Sequence, residues 1–174
     1  MIPGWLICIV TFPGVIVHEI AHQFFCRLFR VAVFKVCYFR IGNPAGYVVH
    51  EVPRNGWQNI KISVGPFLFN SIVGAVIAAP GAIPVLKFEA APLDYVLVWL
   101  GISIAMHAFP STGDAKSMWQ GLWSGRSSAF AKIVGAPLVA IIYLGALGSI
   151  FWLDLIYGLG VALVLPEVLI RALA

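Results

Sequence analysis

Two histidines and a glutamate, His18, Glu19 and His22, stand within five residues in the apolar run PGVIVHEIAHQFFCRLF at positions 13–29. On a helix, residues four apart share a face, so His18 and His22 can direct both imidazoles at one point. Glu19 lies one position round, within reach of a water on an ion held there. Two imidazole ligands beside a general base make the H-E-x-x-H arrangement. Imidazole and carboxylate ligands suit Zn2+, and hydrolysis needs no redox change.

The surroundings of this group sharpen its meaning. The chain has 174 residues, of which 61% are hydrophobic and 10% charged. A soluble domain carries about 25% charged residues. So few charges cannot cover a water-facing surface, and the composition reads as an integral membrane protein. At membrane depth an Asp, Lys or Arg costs about 2.5–3.5 kcal/mol on the insertion scale. Three ionisable groups in five residues require a compensating partner, which a bound divalent cation supplies. The net charge of +4 is spread over loops, which bears on membrane orientation and gives no support to nucleic-acid binding. Cys8, Cys26 and Cys37 lack C-x-x-C spacing and read as small buried residues.

The elements that must position the group follow from the hydrophobic pattern. The pattern predicts an all-α polytopic membrane protein of about five transmembrane helices, with a small membrane-associated β-hairpin. The first span runs from about Ile2 to Phe25, kinked at Pro13–Gly14. It lacks a basic n-region and an A-x-A site, so it reads as a retained helix and not as a signal peptide. VFKVCYFRI and GYVVHEV are rich in β-branched and aromatic residues and flank GNPAG, which predicts the hairpin within Val33–Val52. A second span covers Ile62–Leu86 and a third Tyr95–Phe109. PSTGDAKSMWQGLWSGRSS reads as a polar loop with an amphipathic middle. The apolar stretch Ala129–Leu173 is long enough for two spans, with Asp154 at the turn between them.

Basic residues gather after span one (Arg27, Arg30, Lys35, Arg40, Arg54, Lys61) and after span three (Lys116, Arg126, Lys132). The positive-inside rule then sets the N-terminus outside and both basic loops in the cytoplasm. Alternation of five spans puts the C-terminus and Arg171 there too, with the metal group near the cytoplasmic face.

A catalytic zinc takes three protein ligands and keeps one position open. Counting from the outer face, His18 lies about 25 Å along span one, and Pro110 reaches a similar depth along span three. Asp114 stands just beyond Pro110 in HAFPSTGDAK, whereas Asp94 and Asp154 fall at the opposite face, so Asp114 is the expected third ligand. His107 has four readings: a partner behind the ligands, a transition-state donor, an interhelical hydrogen bonder, or a fourth ligand that would close the site. Asn70 reads equally as interhelical glue or as a donor to a developing oxyanion. His50, in the hairpin, reads as a surface histidine.

HEIAH after its apolar lead-in, VGPFLFN in the next helix and HAFPSTGDA in the third together resemble the site-2 protease family of intramembrane zinc metalloproteases. The order and spacing of the three match that family's catalytic core, here residues 1–125, with residues 126–174 adding two C-terminal helices. The resemblance implies His18, His22 and Asp114 as zinc ligands, Glu19 as the base, and Asn70 as a donor to the intermediate. It further implies an endopeptidase that cleaves transmembrane or membrane-proximal segments, with substrate held in extended form beside the hairpin Val33–Val52. The third motif departs from the family pattern: His107 stands where Asn is usual, the aspartate comes one residue early, and Ala115 replaces Gly. A non-catalytic zinc-binding pseudoprotease or a metal-handling membrane protein is the alternative expectation.

Overall fold

A computed structural model describes residues 4–123 and 127–173. Ile2, Arg126 and the boundary at 125–126 lie outside the described residues.

Helix α1 (Gly4–Val10) and helix α2 (Phe12–Leu28) meet at 87°. The bend is sharper than the expected kink and falls at Thr11, ahead of Pro13–Gly14. The Thr11 hydroxyl donates to the Ile7 carbonyl at 2.7 Å and closes α1. Pro13 falls in the first turn of α2, where a missing N–H is no loss, so it starts a helix instead of bending one. His18 therefore lies only about 9 Å from the start of its helix. The hairpin follows as predicted in kind: β1 (Val33–Cys37) pairs antiparallel with β2 (Tyr47–His50), Cys37 opposite Tyr47, and the GNPAG segment lies in the connection.

Helix α3 (Gly56–Leu86) begins before the expected Ile62, because Asn55 caps it by accepting from the Gln58 N–H at 2.9 Å. Helix α4 (Pro92–Met106) returns alongside it. Small residues set this contact: a Cβ on Gly74 would come 2.8 Å from the Gly101 carbonyl, and one on Gly81 2.6 Å from that of Asp94. These pairs run α3 antiparallel to α4. Helix α2 runs parallel to α4, with Gly14 beside Ser103 and His18 beside His107. The backbones touch there: a Cβ on Gly14 would collide with the Ser103 carbonyl, and the Gly14 N–H donates to Ser103 Oγ at 3.0 Å.

The stretch read as a polar loop contains helix α5 (Thr112–Trp123). Ala115, Met118 and Leu122 of α5 are buried against Ile60 of α3 and Val139 of helix α6 (Ala129–Gly148). A short 3-10 turn (Ser149–Phe151) leads to helix α7 (Leu153–Leu159), a π turn (Gly160–Val164) and helix α8 (Leu165–Leu173). Three helices are long and apolar enough to cross a membrane, Gly56–Leu86, Ala129–Gly148 and Leu153–Ala172, and the bent α1–α2 pair makes a fourth if counted as one. At 15 residues α4 is about 22 Å long, short of a hydrocarbon core of about 30 Å.

Asp154 is not at the far end from the metal group. Gly145 packs on Phe109, and the Tyr157 ring sits 5.0 Å from Phe109, so the α6–α7 turn lies at the same end of α4 as His107.

Because Gly14 meets backbone while Gly4 meets nothing within 4 Å, the two positions should respond differently. Gly14→Ala should lower the free energy of unfolding in detergent by about 1–3 kcal/mol. Gly4→Ala should stay within about 0.5 kcal/mol of the unsubstituted protein. Equal effects would contradict the close α2–α4 contact.

Candidate metal site

His18, Glu19 and His22 lie on the buried side of α2, at 8%, 7% and 6% exposure, so none of the three is a surface group. His18 Nε2 and His22 Nε2 stand 3.1 Å apart, their rings edge to face. Asp114 Oδ1 is 3.5 Å from His22 Nε2, and Oδ2 is 4.0 Å from His18 Nε2. Two ligands about 2.0–2.1 Å from a tetrahedral ion are separated by roughly 3.3 Å, so this spacing fits one small cation. These three residues form a group that could hold a metal ion, and no other group of three such residues occurs among those described.

The tautomer of His18 follows from its partner. Its Nδ1 lies 2.6 Å from the His107 carbonyl oxygen, which can only accept, so Nδ1 carries the hydrogen and Nε2 offers its lone pair. The same carbonyl accepts from Asn70 Nδ2 at 3.1 Å, and Asn70 also donates to the Ile104 carbonyl at 3.2 Å. Asn70 is wholly buried, and both amide hydrogens are engaged at the end of α4. The ring of His107 is also committed. The Thr11 hydroxyl has given its proton to Ile7, so His107 Nε2 donates to Thr11 Oγ1 across 2.8 Å. His107 thus reaches the group through its backbone oxygen and is not one of the three possible ligands.

Asp114 is held from its own helix start. Ser111 N and Ser111 Oγ both donate to Asp114 Oδ2, at 2.9 and 2.7 Å, while the Asp114 N–H donates back to Ser111 Oγ at 3.1 Å. This is a capping box, which satisfies the first turn of α5 and leaves Oδ1 toward His22. Burial pushes the Asp114 carboxyl up, but the facing His22 and His18 and the Ser111 hydrogen bond outweigh it and hold the group below the ordinary carboxylate range. Asn59 of α3 anchors the next turn, donating to the Ser117 carbonyl at 2.8 Å.

A cavity of about 510 Å³ opens on the group. The hairpin connection covers it: a Cβ on Gly46 would stand 2.7 Å from Glu19 Cγ and 2.8 Å from its Oε1, so a larger residue there would displace the Glu19 side chain. Phe109 forms another wall, braced by Tyr157, whose hydroxyl lies 2.6 Å from Ser71 Oγ. His50 and Cys8 also line the cavity. His50, expected at the surface, is half-buried: the antiparallel register carries the end of β2 back over α2, which local sequence does not reveal. The helix break places Cys8 similarly. The Ser111-to-Asp114 spacing was a capping-box signal in the sequence, and it marks α5.

Neither protein-family models nor curated proteins nor solved structures give a match to the chain. The site therefore rests on its own geometry.

Asp114→Ala should abolish stoichiometric divalent-metal binding, and Ser111→Ala should weaken it by about 10–100-fold through loss of the bonds that orient the carboxylate. Elemental analysis and chelator competition on the purified proteins measure both. Equal metal affinity in all three would contradict the assignment of Asp114.

Proposed function

We propose that the chain is a polytopic integral membrane zinc endopeptidase similar to site-2 proteases, cleaving membrane proteins within or beside their spanning segments. The observation that carries this reading is the convergence of His18, His22 and Asp114 beside Glu19, in one cavity roofed by a β-hairpin. Three protein ligands suit a catalytic zinc, which keeps a position open, better than a closed structural site. The apolar helices support the membrane assignment, and the basic loops support an N-terminus outside with the site toward the cytoplasm.

A zinc ion held by these residues supplies Lewis acidity, lowering the pKa of a water toward about 7 and polarising a carbonyl oxygen. Glu19, pinned under Gly46, accepts the proton of the attacking water and returns it to the leaving amine. His18 is kept in one tautomer by the His107 carbonyl, and Asn70 keeps that carbonyl in place. In this reading Asn70 and His107 are positioning residues, since neither Asn70 Nδ2 nor His107 Nε2 has a hydrogen left for substrate. The hairpin offers extended backbone, against which an unwound substrate segment can lie.

Glu19→Gln should keep its zinc and lose cleavage of a single-span substrate by at least about 10²-fold, the usual contribution of a general base. Zinc content measured beside proteolysis in reconstituted membranes tests this. Full cleavage by the zinc-loaded variant would sink the mechanism.

A further inference from the structure

A second cavity, of about 440 Å³, lies between α2 and β1. Residues 31–36 form one wall, and Gln23 and Arg27 of α2 form the other. Glu19, Gln23 and Arg27 succeed one another every four residues, so they share a stripe on α2 that leads from the metal site into this groove. Among the described residues the sheet has two strands, so β1 is paired on its β2 side alone and its other edge is open. Open edges present backbone N–H and C=O groups to any extended segment that arrives.

The groove is cationic. Arg27 and Lys35 line it, and no acidic side chain does among the described residues. Lys35 Nζ lies 5.7 Å from the centre of the Tyr47 ring, and Tyr47 lines the metal cavity, so the two spaces adjoin through this pair. Arg40 flanks the same ring at 5.2 Å.

We infer that this groove receives an acidic extended segment of the substrate, paired as a third strand on β1 with its carboxylates against Arg27 and Lys35. The inference rests on the peptidase reading and adds to it a substrate class: membrane proteins with an Asp/Glu-bearing flank near the cleaved bond. The five-residue β1 gives a strand about 17 Å long to pair with, which a lipid headgroup does not use. A peptide is favoured over an anionic lipid on that ground.

The test uses the full-length Glu19→Gln protein in detergent, with synthetic single-span peptides whose six-residue flank carries three aspartates, three serines or three lysines. The aspartate peptide should bind at least tenfold tighter than the lysine peptide. Joint Arg27→Glu and Lys35→Glu substitution should invert that order while metal content stays unchanged, which shows that the fold persists. Proline at alternate flank positions should weaken binding severalfold, since it removes the N–H groups that a paired strand donates. Equal affinity for the three flanks overturns the inference. So does a charge reversal that weakens association with phosphatidylglycerol vesicles yet leaves peptide selectivity intact, because the groove is then a lipid site. Selective binding without any cleavage by the unsubstituted protein leaves the groove standing and removes the peptidase reading.

Discussion

One backbone oxygen joins the three core helices. The carbonyl of His107, at the end of α4, accepts from His18 of α2 and from Asn70 of α3. A helix terminus leaves its last carbonyls without intrahelical donors, and in an apolar surrounding each unmet group costs several kcal/mol. The two side chains answer that need. The contact that completes α4 also sets which nitrogen of His18 faces the cavity, so packing and chemistry depend on the same atom.

The other contacts serve to bring that oxygen within reach. Gly14 lets α2 touch the backbone of α4, and Gly74 and Gly101 let α3 do so from another side. Small residues let helix backbones approach closely enough for both close packing and buried hydrogen bonds. Helix α5 is fixed independently, by Asn59 and by the buried cluster around Met118 and Leu122. Its capping box then turns Asp114 toward His22. The site is therefore assembled from two rigid sources, a three-helix joint and a capped helix start, with the hairpin laid across the opening.

Much of this was legible in the sequence because the signals are local or follow from depth. His18 and His22 share a helix face by spacing alone, and Asp114 follows from a depth comparison between parallel helices. The bend falls at Thr11, where α1 ends, and Pro13 begins α2, yet the relative register of α2 and α4 held. The hairpin was visible in its β-branched runs and GNPAG turn. Features set by tertiary partners were not legible. Asn70 could not be separated into glue or donor until its amide was seen on the His107 carbonyl. The ring of His107 makes the interhelical bond among its expected readings, to Thr11, while its backbone oxygen, which no side-chain pattern reveals, holds His18. Asp154 was displaced from its expected face because the α6–α7 turn packs on Phe109. Helix α5 was hidden by polar composition, although its Ser111–Asp114 cap was present in the sequence.

The central claim is that His18, His22 and Asp114 hold a metal ion with one position left open. X-ray absorption spectroscopy of the zinc-loaded protein tests it most directly. The expected first shell is four-coordinate, with two imidazole nitrogens and two oxygens at about 2.0–2.2 Å. One oxygen should be exchangeable, and replacing Asp114 with Ala should remove the other. A shell of four protein ligands, or one that lacks paired imidazoles, would contradict the claim.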